Sequence, residues 1–438
     1  MDTGNTAWML VSSALVLLMT PGLAFFYGGL TGTKNVLNTI MMSLIAICVV
    51  GIVWAIGGYS LAFADGNAII GGLDYLGLTG VGAEAKSGMS IPHSVFMAFQ
   101  MMFAIITPAL ISGAIIGRMK FTAYTVFLVL WSLLVYVPLA HWVWGGGFIA
   151  KLGALDFAGG TVVHVSAGFS ALVAAIILGR RHGHRVHPHK PHNIPFVALG
   201  AALLWFGWYG FNAGSALAAD GIAGLAFVNT TLGAFGAMAT WAALEMIRNG
   251  KPTAVGVATG AVVGLVTITP AAGFVMPMYA ILIGIIGATV SFFTIQAMGK
   301  TKVDDSLDVF ACHGMGGLVG SLLTGVFATK AANAAGADGW LYGNFSLVIK
   351  QIIAVVAGIG LAMVMTTVIL VVLKLFVYIR VNNEDEQIGL DMSLHGESAY
   401  ETGYGSGNFG EHAMHESQAD SLTAKPLITK KTLSSAES

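Results

Sequence analysis

The chemistry of this chain starts with two histidines placed where histidine is costly. The stretch from Ala140 to Leu178, AHWVWGGGFIAKLGALDFAGGTVVHVSAGFSALVAAIIL, opens on tryptophans and a glycine triplet and passes Asp156. It then enters an apolar run carrying a single histidine, His164. His313 stands in a second such run, VFACHGMGGLVGSLLTGVF. An ionisable group inside a membrane-length helix marks a functional site, because hydrocarbon penalises it. A neutral imidazole has one N–H and one bare nitrogen, so two facing rings can hold complementary tautomers, line a narrow lumen and pass a proton. A packing histidine bonded to a backbone carbonyl would explain one such residue. It explains two less readily.

The elements that must position these rings are membrane helices. The chain has 438 residues, 56% hydrophobic and 9% charged, with a mean hydropathy of +0.80. Soluble domains carry about 25% charged residues, so this composition excludes that class. Apolar runs predict eleven helices near 6–30, 36–63, 94–117, 121–143, 161–179, 194–215, 221–247, 252–270, 276–298, 309–328 and 345–379. The eighth, rich in Gly, Ala and Thr, looks marginal on its own. Lys34, Arg118, Lys120, Arg180, Arg181, Arg185, Lys190, Arg248, Lys251, Lys300 and Lys302 fall in one alternating set of loops, against Lys86, Lys151 and Lys330 in the other. That bias predicts the N-terminus outside and the C-terminus inside. The start, MDTGNTAWML, lacks a positive region and reads as part of a retained helix. Cys48 and Cys312 lie in apolar segments and read as packing residues. No basic stripe argues for nucleic acid.

Two halves are visible. TPGLAFFYGGL in segment 1 and GWYGFNAGSAL in segment 6 are both aromatic–glycine clusters, and each histidine follows an aspartate within a turn or two. Five helices apart means opposite topology, the arithmetic of an inverted repeat with a midplane site. Abundant glycine, 58 residues, fits close helix approach. The loop RRHGHRVHPHKPHN carries His182, His184, His187, His189 and His192; imidazoles at this spacing can ligate a metal, but a solvated loop broken by Pro188 and Pro191 is the plainer reading. The polar tail beyond about Thr402 reads as disordered.

Several motifs in register from about residue 6 to 401 resemble the ammonium transporter family, Amt/Mep/Rh, and its bacterial and archaeal Amt branch most. They are FQMMFAIIT (99–107), AHWVWGGG (140–147), LDFAGGTVVH (155–164), KPHN (190–193), GWYGFNAGSA (207–216) and DVFACHG (308–314). The resemblance implies an all-α fold of eleven transmembrane helices with an inverted 5+5 repeat around a central pore, one pore per subunit of a homotrimer. It implies a membrane domain over 1–380, a cytoplasmic regulatory region over 381–401 and a tail over 402–438. It also implies a multi-pass location in the cell inner (plasma) membrane, a possible PII-type signal protein at the cytoplasmic face, no cofactor, no metal and no enzymatic reaction.

Residue by residue, the resemblance gives Phe103, Trp144 and Ser215 as an outer site that recruits ammonium. An aromatic face attracts a cation by about 0.5–2 kcal/mol, and a hydroxyl can accept one N–H. A headgroup-level belt aromatic is the plainer reading of Trp144 alone. Phe103 and Phe211 match two stacked rings that block the pore, and His164 and His313 match twin histidines in its lumen. Asp156 matches an aspartate at the outer end of segment 5, where it could accept backbone N–H groups and hold the vestibule. The expected function is recruitment and deprotonation of ammonium, then conduction of ammonia with net charge transfer. Electroneutral ammonia conduction is the alternative. An ammonium sensor acting through a cytoplasmic partner is a rival of another class. A membrane enzyme with a histidine-bound metal is a third, and it lacks further ligands at membrane depth.

Overall fold

The computed structural model describes residues 1–184 and 190–400. Among the described residues ten helices are long and apolar enough to cross a membrane: α1 (Thr3–Leu30), α2 (Thr33–Phe63), α3 (His93–Ala114), α4 (Phe121–Leu152), α5 (Gly160–Leu178), α6 (Ile194–Ala213), α7 (Gly221–Asn249), α9 (Pro277–Met298), α10 (Phe310–Phe327) and α11 (Ser346–Phe376). An eleventh, α8 (Ala254–Ile268), is apolar but shorter, and it is the segment that reads as marginal in the sequence. Its 15 residues span about 22 Å. It packs against α6, α7, α9 and α10, and its residues from Gly260 onward are buried. Helices are forced here because hydrocarbon offers backbone N–H and C=O groups no other partner.

Side chains mark where several helices start. Asp2 accepts from Asn5 N–H at 2.7 Å, Asn193 from Phe196 N–H at 3.0 Å and Asp220 from Ile222 N–H at 2.9 Å. Thr253 accepts from Gly256 N–H at 2.9 Å. Each satisfies a donor the first turn would leave orphaned. Gly250, at φ 78°, closes α7 in the left-handed conformation that glycine adopts without strain.

The loops fall on two faces. One, the Trp144 face, carries the start of α1, the 64–92 excursion, Lys86, Lys151 and Lys330. The other, the Arg118 face, carries Lys34, Lys120, Arg181, Arg248, Lys300 and Arg380. Arg118 itself is buried there. Its guanidinium donates to Ala114 O at 2.7 Å, Asp304 O at 2.5 Å and Ser306 Oγ at 2.6 Å, and burial lowers its pKa to about 10.

The halves α1–α5 and α6–α10 interlock. α1 lies along α6, while α5 and α10 each pack against the opening turn of the other. Those opening turns, Gly160–Val165 and Phe310–Met315, are wide π-helical turns, as is Tyr209–Ala213 at the end of α6. Such turns gather at functional sites because they displace a side chain from the ordinary helical register.

Met1–Glu397 form one unit, and residues from Ser398 belong to a second, of which only 398–400 are described. Within the first unit, α12 (Asn383–Ile388) and the turn Asp391–His395 are bound to the Arg118 face. Glu386 pairs with Arg380 at 2.7 Å and accepts His182 N–H at 2.5 Å. Asp391 Oδ1 accepts Asn38 N–H at 2.8 Å, and Asn35 Oδ1 accepts Leu390 N–H at 2.8 Å. The polar tail 402–438 lies outside the described residues.

Candidate functional site: a lumen between two crossing half-helices

Asp156 sets the start of α5. Its Oδ1 accepts Gly159 N–H at 2.8 Å and Gly160 N–H at 2.6 Å; its Oδ2 accepts Thr161 N–H at 2.8 Å and Val162 N–H at 3.2 Å. One carboxylate thus closes all four orphan donors of a helix start. Burial pushes this carboxyl above the ordinary range, and the four N–H groups oppose the shift. Eight residues on stands His164. At the opposite face Asp305 begins α10, its Oδ2 accepting Phe310 N–H at 2.7 Å, and His313 stands eight residues on. That repeated spacing is readable in the sequence and identifies Asp305 as the counterpart of Asp156.

The two half-helices cross without side chains between them. A Cβ on Gly168 would overlap the backbone N and Cα of Gly314, and one on Gly317 would come within 2.8 Å of Gly160 O and His164 Cβ. Each glycine lies four residues past its own histidine. Only glycine permits the approach that brings His164 Nδ1 and His313 Nδ1 to 3.3 Å. The rings are inclined by 29°, with centroids 5.3 Å apart.

On the Trp144 side of this pair sits an aromatic column. Phe211 stacks on Phe103 with centroids 4.1 Å apart and 21° between planes, and lies 6.0 Å from His164. Trp144 meets Phe103 edge-on at 6.0 Å. Its indole N–H donates to Asp156 O at 3.0 Å, so the aspartate that caps α5 also anchors the tryptophan. Ser215, partly exposed, donates its hydroxyl to Phe211 O at 2.8 Å, which leaves the hydroxyl oxygen able to accept.

Below the column is a narrow lumen with free volume of about 10 Å³, room for roughly one water. Ile106, Leu110, Val163, Leu204 and Val262 line it, with His164 and His313 its only imidazoles. Trp208, which sequence reasoning does not single out, stacks on His164 at 5.5 Å and is held by Thr269 Oγ1 at 2.9 Å. His164 Nε2 is buried and has no hydrogen-bond partner among the described residues. His313 also lines a second cavity of about 410 Å³ that opens toward the Arg118 face, with Tyr27, Trp241, Glu245 and Asp308. His313 therefore stands at the junction of a narrow lumen and a roomy vestibule.

The remaining expectations fall elsewhere. Among the described residues no three His, Cys, Asp or Glu side chains converge as a metal-ligand set, and His187 and His189 lie outside the described residues. His192 Nδ1 sits 2.9 Å from Thr31 O, and His184 Nδ1 lies 3.3 Å from Asp304 Oδ1. Cys312 is buried, whereas Cys48 is exposed on the outside of α2; both are free thiols.

Comparison with known proteins agrees with this architecture. A family model described as the Ammonium Transporter Family matches residues 7–400. An ammonium transporter of Bacillus subtilis is 52% identical over 403 residues, covering 92% of this chain and 99% of that protein. The crystal structure of Mep2 from Candida albicans superposes with a TM-score of 0.84 at 35% identity, covering 88% of each chain. A structure titled as a sensor Amt protein superposes at 0.83 with 27% identity, covering 90% of this chain and 98% of the other. With the family model running nearly end to end and the fold shared throughout, this chain, a multi-span membrane protein and not an enzyme, belongs to the ammonium transporter family.

Proposed function

We propose that the chain takes ammonium at the Trp144 face, removes its proton above the Phe103–Phe211 stack, and conducts ammonia along the lumen. The proton travels separately over His164 and His313, so charge crosses with each ammonia. The observation that carries this reading is the imidazole pair, joined Nδ1 to Nδ1 at 3.3 Å inside an otherwise apolar lumen.

The chemistry follows from the geometry. Trp144, Phe103 and Ser215 offer π faces and a hydroxyl acceptor to a small cation. The stacked rings exclude water, so a hydrated potassium ion must shed its shell for no replacement ligands. Ammonium has an exit that potassium lacks: it can lose a proton and pass as a neutral molecule. In a neutral pair one Nδ1 donates and the other accepts, so the two Nε2 ends differ, one bare and one bearing hydrogen. The unpartnered His164 Nε2 is the nitrogen that ammonia meets first. A proton entering at one ring re-emerges from the other when the tautomers shift.

The bias of Lys and Arg toward the Arg118 face supports a cytoplasmic position for that face. The plasma membrane, the homotrimer and a PII-type partner at residues 381–400 belong to the same reading. The test is the current evoked by an ammonium pulse in proteoliposomes holding the native chain or His164→Ala. The reading expects a saturable native current without a potassium response, and in the variant loss of the current or potassium permeability. Internal alkalinisation without current would make transport electroneutral. Silence in both assays would favour the sensor reading that the sensor Amt neighbour suggests.

A further inference from the structure

Two aspartates follow Asp304 at the opening of α10, and the fold accounts for only one. Asp305 caps the helix through Phe310 N–H. Asp308 caps nothing: among the described residues its carboxylate has no hydrogen bond and no ion pair. Its backbone lies at φ 57°, one of three non-glycine residues in the left-handed region among those described. Conformations of this kind persist where the surroundings impose them, and they gather at functional sites. Here Asp308 O accepts Cys312 N–H at 2.9 Å, which fixes the residue at the helix start. The carboxylate is half-buried in the wall of the 410 Å³ cavity that also contains His313.

We infer that Asp308 is the exit acceptor of the proton path, taking the proton delivered by His313 and releasing it to ammonia in the vestibule. This rests on the charge-transfer reading above. In the step, an N–H bond of protonated His313, or an O–H of an intervening water, breaks as the carboxyl O–H forms. That O–H then breaks as ammonia gains its fourth N–H, which restores the carboxylate and returns ammonium to the solution.

The neighbourhood suits the task. The cavity holds space for roughly a dozen waters to bridge the gap. Glu245, the other carboxylate on its wall, already accepts from Thr253 N–H at 2.7 Å and Thr253 Oγ–H at 3.1 Å. Burial pushes the Asp308 carboxyl up to about 7, with Asp305 and Asp304 adding to the shift and Arg181 opposing it. An acceptor balanced near neutral pH both takes and gives a proton at small cost.

The test compares native chain, Asp308→Asn and Asp308→Glu in proteoliposomes, reading the ammonium-evoked current and the ammonia-driven change of internal pH from the same preparations between pH 5.5 and 8.5. Asparagine keeps the shape and removes the proton site. The expected result is that the ratio of current to ammonia flux falls about tenfold or more in Asp308→Asn. Its pH profile flattens around neutrality, and Asp308→Glu recovers most of the ratio. An Asp308→Asn chain with the native ratio and native pH profile overturns the inference while leaving the charge-transfer reading intact. A native chain that moves ammonia without current overturns both. If Asp308→Asn fails to fold, Asp308→Glu decides alone: a displaced pH midpoint with its ratio retained supports the assignment, and an unmoved midpoint overturns it.

Discussion

The opening turns of α5 and α10 are built to one plan and set in different surroundings. Each has an aspartate eight residues before a histidine, a wide turn holding that histidine, and a glycine four residues beyond it. At α5 the aspartate spends both oxygens on four backbone N–H groups, and the histidine faces a closed aromatic column. At α10 the aspartate gives one oxygen to Phe310, leaves Oδ1 buried without a partner among the described residues, and the histidine borders an open cavity. One end is narrow and its cap fully bonded; the other is roomy and its cap half-used. A scaffold built twice to one plan thus has two unlike ends, to which the proposed function assigns selection at α5 and release at α10.

The largest effect should come from the glycines, because the crossing is not equally tight. A methyl on Gly168 would overlap the backbone N and Cα of Gly314 outright, whereas one on Gly317 meets Gly160 O and His164 Cβ at 2.8 Å, a smaller overlap that still requires the helices to part slightly. Gly168→Ala should cost about 3 kcal/mol or more, enough to lose most folded protein in detergent, and Gly317→Ala about 1 kcal/mol. Yield of folded protein and thermal unfolding followed by circular dichroism measure both. Equal losses would mean that the two halves cross symmetrically after all.

The caps come next. Asp156→Asn should lower stability by about 2–3 kcal/mol, since an amide offers a single acceptor oxygen where the carboxylate serves four donors. It should also loosen Trp144, whose indole N–H rests on Asp156 O, so ammonium affinity should weaken alongside. Asp305→Asn keeps an oxygen for Phe310 N–H and should cost under about 1 kcal/mol near neutral pH. Thermal unfolding of the two variants side by side tests the ranking; a larger loss for Asp305→Asn would reverse it.

Much of this was legible beforehand, and the reason is the solvent. Hydrocarbon forces long apolar runs, so the helices appear in the sequence within a few residues of where the structure has them, except that α4 runs on to Leu152 through the glycine triplet after Trp144. The α8 segment reads poorly because it is short and lies among other helices, where Gly and Ala serve better than Leu. The rings Phe103, Trp144, Phe211, His164 and His313, far apart in the sequence, lie in one continuous column. What could not be read was contact-specific. Among 58 glycines nothing in the string marks Gly168 and Gly317 as the crossing point. Trp208 looks like any buried tryptophan until its ring is seen over His164. Asp305 and Asp308 differ only in which backbone group each can reach, a matter of φ and not of residue type.

The pH dependence sharpens the comparison without any change of fold. The α10 opening carries three carboxylates where the α5 opening carries one, and adjacent members are driven apart. Burial alone would raise Asp304, but hydrogen bonds and charge from Arg181, aided by Arg118, outweigh it and hold the carboxyl at about 2. Asp305, buried with only backbone N–H groups and a more distant Arg118 to help it, is pushed up to about 6. The signs follow. A lowered carboxyl adds stability that is complete above its unfolded value near 3.8 and fades as pH falls toward 2. A raised one adds stability that is complete below 3.8 and fades as pH rises through about 6. Between pH 4 and 6.5 the Asp304 contribution is therefore constant, and that of Asp305 declines by on the order of 2 kcal/mol. Asp305→Asn should remove its share of this decline in the melting temperature and leave the share of Asp308, whose carboxyl is raised to about 7, while Asp304→Asn should lower the whole curve with little change of slope there. If Asp304→Asn removed the slope instead, Asp304 and not Asp305 would be the raised carboxylate, and the incompletely bonded cap of the α10 opening would lie one residue earlier.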